Sequence, residues 1–395
     1  MNRHHLSGRD WTALLVYVSM LVDGYNLTVI TPALNPLKQA FAASPAEVAL
    51  LASSAIIGNF VGAIVLGRIS DYMGRKYVVI IDVMIFAVGG VLSAISTDAF
   101  QLIIFRFIVG LGIGGDYPVA SAILMERSRG GSSSNVIVGR LGTMWTAGFV
   151  LSVVAGIALS GSGPESWRIL FLLPVVPSIS VVLLRHFILE PVHPSRARKN
   201  YLADLSSLFT GRQLTLTVFG SLFWFSFDVV QYGITLFSPS IIGTISGQSG
   251  SAVLYSAGVV GMIELAGTLC GVYILSFVTR RSLLIIGFMG IMVSLLCMSL
   301  VRDVLAGLLV IAVFGFFAGL SPGILEFIFP PALFPEGLRG FGCGISNSAS
   351  RLGAIIGIVV EPVLSALFWP GAVFLFYSMF AVLGIVSTFF LAPRE

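Results

Sequence analysis

Eight ionisable residues, Asp23, Arg106, Asp116, Asp228, Glu264, Glu326, Arg351 and Glu361, lie inside long apolar runs of the sequence. A charge at the centre of a hydrocarbon layer costs roughly 2.5–3.5 kcal/mol on insertion scales, so such side chains are kept for a function or for a partner. Two kinds of chemistry suit them. A carboxyl stripped of water favours its neutral form and one beside a cation its charged form, so a carboxyl in a cavity that opens and closes can load and unload a proton. A guanidinium presents a planar fork of donors that matches phosphate and carboxylate, so Arg351 argues for an anionic ligand and against an uncharged sugar. Asp23 and Asp116 are the expected proton carriers; either can instead pair with Arg106 or cap a bend beside the nearby glycines. Arg351 can equally stand in a salt bridge with Glu326 or Glu264, and the sequence leaves the roles of Glu264, Glu326 and Glu361 open.

Trp224, Asp228 and Tyr232 are spaced by four, which puts all three on one face of a helix. A protonated Asp228 can donate a hydrogen bond to an anion's oxygen, or carry the proton itself, while the indole N–H and the phenol O–H add two donors. The same spacing also describes an aromatic packing stripe with one satisfied carboxyl. Other chemistries are excluded more firmly. Cys270, Cys297 and Cys343 fall in apolar runs, where burial as small apolar residues is expected, and none forms a CxxC pair or metal spacing. His4, His5, His186 and His193 form no ligand cluster, so no metal site and no enzyme chemistry is expected. Gly110, Gly112, Gly114 and Gly115 sit inside an apolar run with no strand before them, which suits close helix packing rather than a dinucleotide loop.

The elements that must position these residues follow from composition. The chain is 56% hydrophobic and 10% charged, against roughly a quarter charged in globular proteins. The net charge of +4 comes from short basic clusters between apolar runs, not from a basic face for nucleic acid. A spanning helix takes about 20 apolar residues. The runs predict twelve spans over 11–34, 47–67, 77–97, 99–125, 136–160, 167–189, 214–242, 252–276, 282–301, 304–329, 340–368 and 371–391. A cytoplasmic N-terminus places all 22 Lys and Arg at the cytoplasmic side except Lys38, Arg168 and Arg302 outside and Arg106 and Arg351 within spans, so the positive-inside rule sets both termini in the cytoplasm. The first residues lead into a full-length span without a small-residue cleavage site, so no removable signal peptide is expected.

A polar segment over 190–213, with Arg196, Arg198, Lys199 and Arg212, divides the chain into a six-helix bundle at 1–189 and another at 214–395. Gly67-Arg-Ile-Ser-Asp71-Tyr-Met-Gly74-Arg75-Lys76 has a decayed copy at 271–281, ending in Arg280-Arg281. Parallel halves of this kind carry the substrate site near the midplane between them. The expected fold class is an all-α membrane protein of twelve transmembrane helices in two pseudo-symmetric bundles.

GRISDYMGRK resembles the signature of the major facilitator superfamily, Gly-x-x-x-Asp-x-x-Gly-Arg-Lys/Arg between spans two and three. The resemblance implies that Gly67, Asp71, Gly74, Arg75 and Lys76 latch the halves in one state, and Arg106 and Arg140 join them as gating residues. It extends to 106–118 in span four, Trp167-Arg168, Glu190-Pro191 and Phe334-Pro-Glu-Gly-Leu-Arg339-Gly340. Gly-Ile-Gly-Gly-Asp116-Tyr117-Pro118 with Ser121 and Glu126, Trp224-x-x-x-Asp228-x-x-x-Tyr232 and the stretch around Arg351 resemble the phosphate:proton symporter branch. That implies substrate contacts from Tyr117, Thr146, Trp224, Asp228, Tyr232 and Arg351, and proton coupling by Asp23, Asp116 and Asp228. Arg351 replaces a usual Lys, Gly323 a usual amide, Trp145 or Thr146 a usual Gln, and Asn26 a frequent acid; the Asp23-Gly24 opening also resembles aromatic-acid:proton symporters.

The resulting expectation is a plasma- or inner-membrane symporter, working as a monomer in lipid and driven by the proton gradient with no cofactor. It imports a small anion, inorganic phosphate first. An organic carboxylate, aromatic or hydroxy acid, is the alternative on the same fold; a nutrient receptor that senses without transporting is the alternative of another class.

Overall fold

The computed structural model describes residues 8–127, 132–188, 201–237, 241–243, 247, 251–301, 303–369 and 371–393. Twelve helical spans among them are long and apolar enough to cross a membrane: α1 (Trp11–Ala40), α2 (Ala46–Met73), α3 (Tyr77–Ile95), α4 (Ala99–Glu126), α5 (Ser134–Leu159), α6 (Ser166–Leu184), α7 (Gly211–Thr235), α8 (Ala252–Ile274), α9 (Arg280–Leu300), α10 (Val304–Leu333), α11 (Arg339–Ser365) and α12 (Gly371–Leu391). Each coincides with a predicted run, and no strand occurs among the described residues. The end of α2 differs most usefully. Hydropathy stops at 67, yet the helix runs on to Met73, because Arg68 and Asp71 find partners there.

Local chemistry explains the starts and breaks. Ser44 and Glu47 form a capping box at the start of α2, Thr279 caps α9 and Asp303 caps α10, each satisfying an N–H that has no partner within its helix. Proline accounts for the interruptions. α1 breaks at Val29, one turn before Pro32; α6 breaks around Pro174; and α10 breaks at Ser321, directly before Pro322. A proline ring removes a helical hydrogen bond and crowds the residue before it. Pro118 lies inside an unbroken α4.

Packing repeats with an offset of six. α1 packs on α5, α2 on α4 and α3 on α6; correspondingly α7 packs on α11, α8 on α10 and α9 on α12. The halves meet through α2 against α11 and α5 against α8, contacts that the same offset exchanges. Glycine permits the closest approach. A Cβ on Gly62 would collide with the Leu111 carbonyl, and one on Gly110 with the Ala55 carbonyl, so α2 and α4 touch backbone to backbone, the small-residue mode by which helices associate in lipid. The outside is apolar: Phe277, Leu300 and Phe390 are among many large exposed hydrophobic residues, the surface a hydrocarbon solvent requires.

Cys343 is buried as expected, but Cys270 and Cys297 are exposed on this outer surface, where a thiol faces apolar surroundings without being packed. Of the segment over 190–213, residues Tyr201–Leu208 form a short helix, tied to α7 by Thr217 Oγ1 donating to the Leu208 carbonyl at 2.9 Å. Glu190, Pro191, His193, Arg196, Arg198, Lys199, Arg302, His4 and His5 lie outside the described residues, as do the side chains of Lys76 and His186.

Candidate functional site

Arg351 is 1% exposed on α11, at the centre of the molecule. Three aromatic rings surround its guanidinium, with centroids at 5.1 Å for Tyr117, 5.9 Å for Trp224 and 5.2 Å for Tyr232. Its Nη1 donates to Tyr232 Oη at 2.6 Å and lies 3.4 Å from Asp228 Oδ2, while Nε donates to Asn347 Oδ1 at 3.0 Å. The α7 face predicted from the spacing of four therefore exists, and all three of its residues meet Arg351. The salt bridge allowed by the sequence is also there, but to Asp228 rather than to Glu326 or Glu264: α7 is the helix packed along α11.

Both halves build this centre. Tyr117 of α4 stacks on Trp224 at 6.5 Å and meets Phe327 of α10 at 5.4 Å, and Trp145 of α5 meets the Tyr232 ring edge-on at 6.3 Å. Behind the cage, Asn347 Nδ2 donates to Asn59 Oδ1 at 3.4 Å and Ser348 Oγ to the Phe60 carbonyl at 2.8 Å, joining α11 to α2. Tyr117 Oη, Trp145 Nε1 and Trp224 Nε1 are buried donors with no hydrogen-bond partner among the described residues. Buried polar groups are nearly always satisfied, so these donors around Arg351 and Tyr232 could serve an acceptor. Thr146 is buried on α5, but its neighbour Trp145 supplies the ring at the centre.

The other buried charges fall into separate places. Asp116 accepts a hydrogen bond from Ser19 Oγ, and Asp23 is fully buried on α1. Arg106 stacks on Phe171 at 5.4 Å and makes no ion pair among the described residues, so the pairing of Asp23 or Asp116 with Arg106 is not formed. Gln231 Nε2 donates to Glu264 Oε1 at 2.9 Å, and Glu326 is buried on α10 within electrostatic reach of Asp228 and Arg351. Glu361 accepts from Ser365 near the far end of α11. A Cβ on Gly142 would strike the Gly323 carbonyl, so α5 crosses α10 closely there, while a Cβ on Gly323 itself would meet the Ala318 carbonyl at 3.0 Å and the Phe227 ring at 3.8 Å.

One end of the bundle is latched. Asp71 at the end of α2 accepts the backbone N–H of Gly340 at 3.1 Å and of Phe341 at 2.8 Å, capping the start of α11 from the opposite half. A carboxylate there meets both unsatisfied donors and the positive end of the helix dipole. Glu126 bridges Arg75 at 2.6 Å and Arg339 at 3.0 Å, and Arg68 stacks on Phe341 across the same seam. Gly67 lies against the Gly340 carbonyl, and Gly74, at φ 89°, makes the left-handed turn that returns the chain as α3. Arg140 is exposed beside Tyr17. Glu126 and Arg339 stand in quoted motifs, but only folding reveals them as partners; Asn347 lies in the stretch around Arg351, while Asn59 and Phe327 carry no motif signal.

Comparison with known proteins fits this architecture. The chain is 27% identical over its whole length to the inner membrane metabolite transport protein YgcS of Escherichia coli (strain K12), covering 92% of that protein. It is 26% identical to the inorganic phosphate transporter PT2 of Toxoplasma gondii, over 89% of this chain and 66% of the relative. The gentisate transporter of Corynebacterium glutamicum is 25% identical, over 97% of this chain and 87% of the relative. A solved structure of the proton:xylose symporter XylE superposes with a TM-score of 0.85 at 19% identity, covering 98% of this chain and 96% of that one, which shows the fold alone. The model of the Major Facilitator Superfamily matches residues 16–331. With twelve membrane-spanning helices, a latch between two six-helix halves and this match over most of its length, the chain is a multi-pass membrane transporter and belongs to the Major Facilitator Superfamily.

Proposed function

We propose that the protein is a proton-coupled carrier of a small organic carboxylate with a flat, conjugated or aromatic body, working by alternating access. The observation that carries this reading is the Arg351 guanidinium held among the rings of Tyr117, Trp224 and Tyr232. A flat acid can lay its body against those rings and its carboxylate on the guanidinium, with Tyr117 Oη and Trp145 Nε1 as further donors. The local charge balance also favours a singly charged acid: Asp228 already offsets Arg351, and Glu326 stands beside them, an unwelcoming place for a dianion. Inorganic phosphate is the second reading, favoured by the Trp224, Asp228, Tyr232 spacing and by the likeness to PT2.

The distribution of Lys and Arg supports cytoplasmic termini, so the latch at Asp71 is the cytoplasmic gate and the structure is closed on that side. Substrate and proton then enter from outside, the latch opens, and both leave inside; a monomer suffices and the proton gradient is the energy source. Uptake of labelled gentisate and phosphate into liposomes carrying the protein tests this, with protein-free liposomes correcting for passive entry. One proton carried with a monocarboxylate gives about tenfold accumulation per unit of inward pH gradient. Accumulation of phosphate without gentisate would select the second reading, and uptake indifferent to collapse of the gradient would remove proton coupling.

A further inference from the structure

We infer that Gln231, held by Glu264, and Trp145 form a second polar pole of the central site, which receives a hydroxyl group on the body of the bound acid. This subsite rests on the proposed flat carboxylate and specifies what that acid carries away from Arg351.

Gln231 lies three residues after Asp228 on α7 and directly precedes Tyr232. It is 3% exposed, and Glu264 on α8 is 5% exposed. α8 packs mainly on α10 and α5, yet its Glu264 reaches α7, where Gln231 Nε2 donates to Glu264 Oε1 at 2.9 Å. A carboxylate oxygen only accepts, so this bond turns the amide nitrogen towards Glu264 and leaves the carbonyl oxygen as the free end. Gln231 Oε1 is buried with no hydrogen-bond partner among the described residues.

α5 brings the complementary group. Along the seam of α5 with α8, a Cβ on Gly258 would meet Val153 at 3.6 Å, one on Gly261 the Phe149 ring at 3.0 Å, and one on Gly139 the Val272 side chain at 3.6 Å, so the two helices run antiparallel. Glu264 stands one turn beyond Gly261 and Trp145 one turn before Phe149, which sets them at the same level of the seam. Trp145 also meets the ring of Tyr232, the chain neighbour of Gln231, at 6.3 Å.

The two unsatisfied groups have opposite character. Gln231 Oε1 calls for a donor and Trp145 Nε1 for an acceptor. A hydroxyl is both, whereas a carboxylate only accepts and an ammonium only donates. Tyr232 joins this pole to the first: its hydroxyl accepts from Arg351 at 2.6 Å while its ring meets Trp145. An acid whose carboxylate sits on Arg351 and whose body lies along Tyr232 therefore points its far edge to Gln231. A site built to bond a hydroxyl rejects the analogue that lacks it, because its own buried groups are then left unpaired.

Titration calorimetry of the purified protein with benzoate, 3-hydroxybenzoate and 4-hydroxybenzoate tests this selectivity. At least one hydroxybenzoate is expected to bind the wild type about tenfold more tightly than benzoate, the scale of one hydrogen bond. Its methoxy analogue, which cannot donate to Gln231, is expected to lose that gain. In the double variant Gln231→Leu, Glu264→Leu the ratio of the two affinities is expected to fall towards one. Removing both partners together strands no polar group; should the variant still fail to fold, the methoxy analogue decides on the wild type alone. Equal binding of benzoate and both hydroxybenzoates, a methoxy analogue that keeps the gain, or a folded double variant that keeps it would each overturn the subsite while leaving the carboxylate reading intact. A wild type that binds none of these acids removes the carboxylate reading and the subsite with it.

Discussion

Arg351→Ala is expected to abolish uptake and to lower the melting temperature markedly, and adding Asp228→Asn to the same chain is expected to restore most of the melting temperature but none of the uptake. Removing one member of a buried ion pair costs about 3–5 kcal/mol, because the other charge is left without compensation. Here Asp228 would be stranded at 1% exposure beside Glu326. Three ring contacts disappear too, each worth roughly 0.5–2 kcal/mol for a cation over an aromatic face. The double variant removes both charges, so the stranded carboxylate vanishes while the anion's anchor remains absent. Uptake at the wild-type rate in the double variant would reduce Arg351 to a structural ion pair. Arg351→Lys keeps the charge but loses the fork that bonds Tyr232 and Asn347 together, so intermediate uptake is expected from it.

The second large effect is at the latch. Asp71→Asn is expected to raise the rate at which a maleimide alkylates Cys343, in a background where the exposed Cys270 and Cys297 are alanine. Cys343 is 1% exposed on α11, among Arg75, Arg339, Asp71 and Glu126, so it reacts only when this end opens. Asp71 caps α11 with two bonds to backbone N–H groups, and hydrogen bonds to a charged group are worth about 1.5–3 kcal/mol each. An amide at this position keeps at most one and loses the charge that suits a helix start. A net loss of about 3 kcal/mol would raise the open fraction roughly a hundredfold. An unchanged alkylation rate would show that the latch does not hold this state. Glu126→Gln, which weakens two ion pairs of which the Arg339 one is partly exposed, should act in the same direction with a smaller effect.

The spans, their number and the repeat were readable in the sequence because each depends on local apolar length, the signal hydropathy measures. The helix breaks were readable only where a proline marks them, as at Pro322. Distant pairings were less accessible. Asp71 stands out in its motif, but its partners are backbone groups of Gly340 and Phe341, which leave no trace in residue type. For Arg351 the sequence offered Glu326 or Glu264, and the packing of α7 along α11 gives it Asp228 instead. The two arginines inside spans look alike in sequence, yet one is caged and paired while Arg106 rests on Phe171 and makes no ion pair among the described residues.

The central claim, that the Arg351 cage receives a flat carboxylate, is tested most directly by ligand-induced thermal stabilisation of the wild type and of the Arg351→Ala, Asp228→Asn double variant with gentisate. Ligand at a hundred times its dissociation constant stabilises the folded state by about 2.7 kcal/mol, so a clear rise in melting temperature is expected for the wild type and none for the double variant. An equal rise in both proteins, or a rise with phosphate and none with gentisate, would contradict the account.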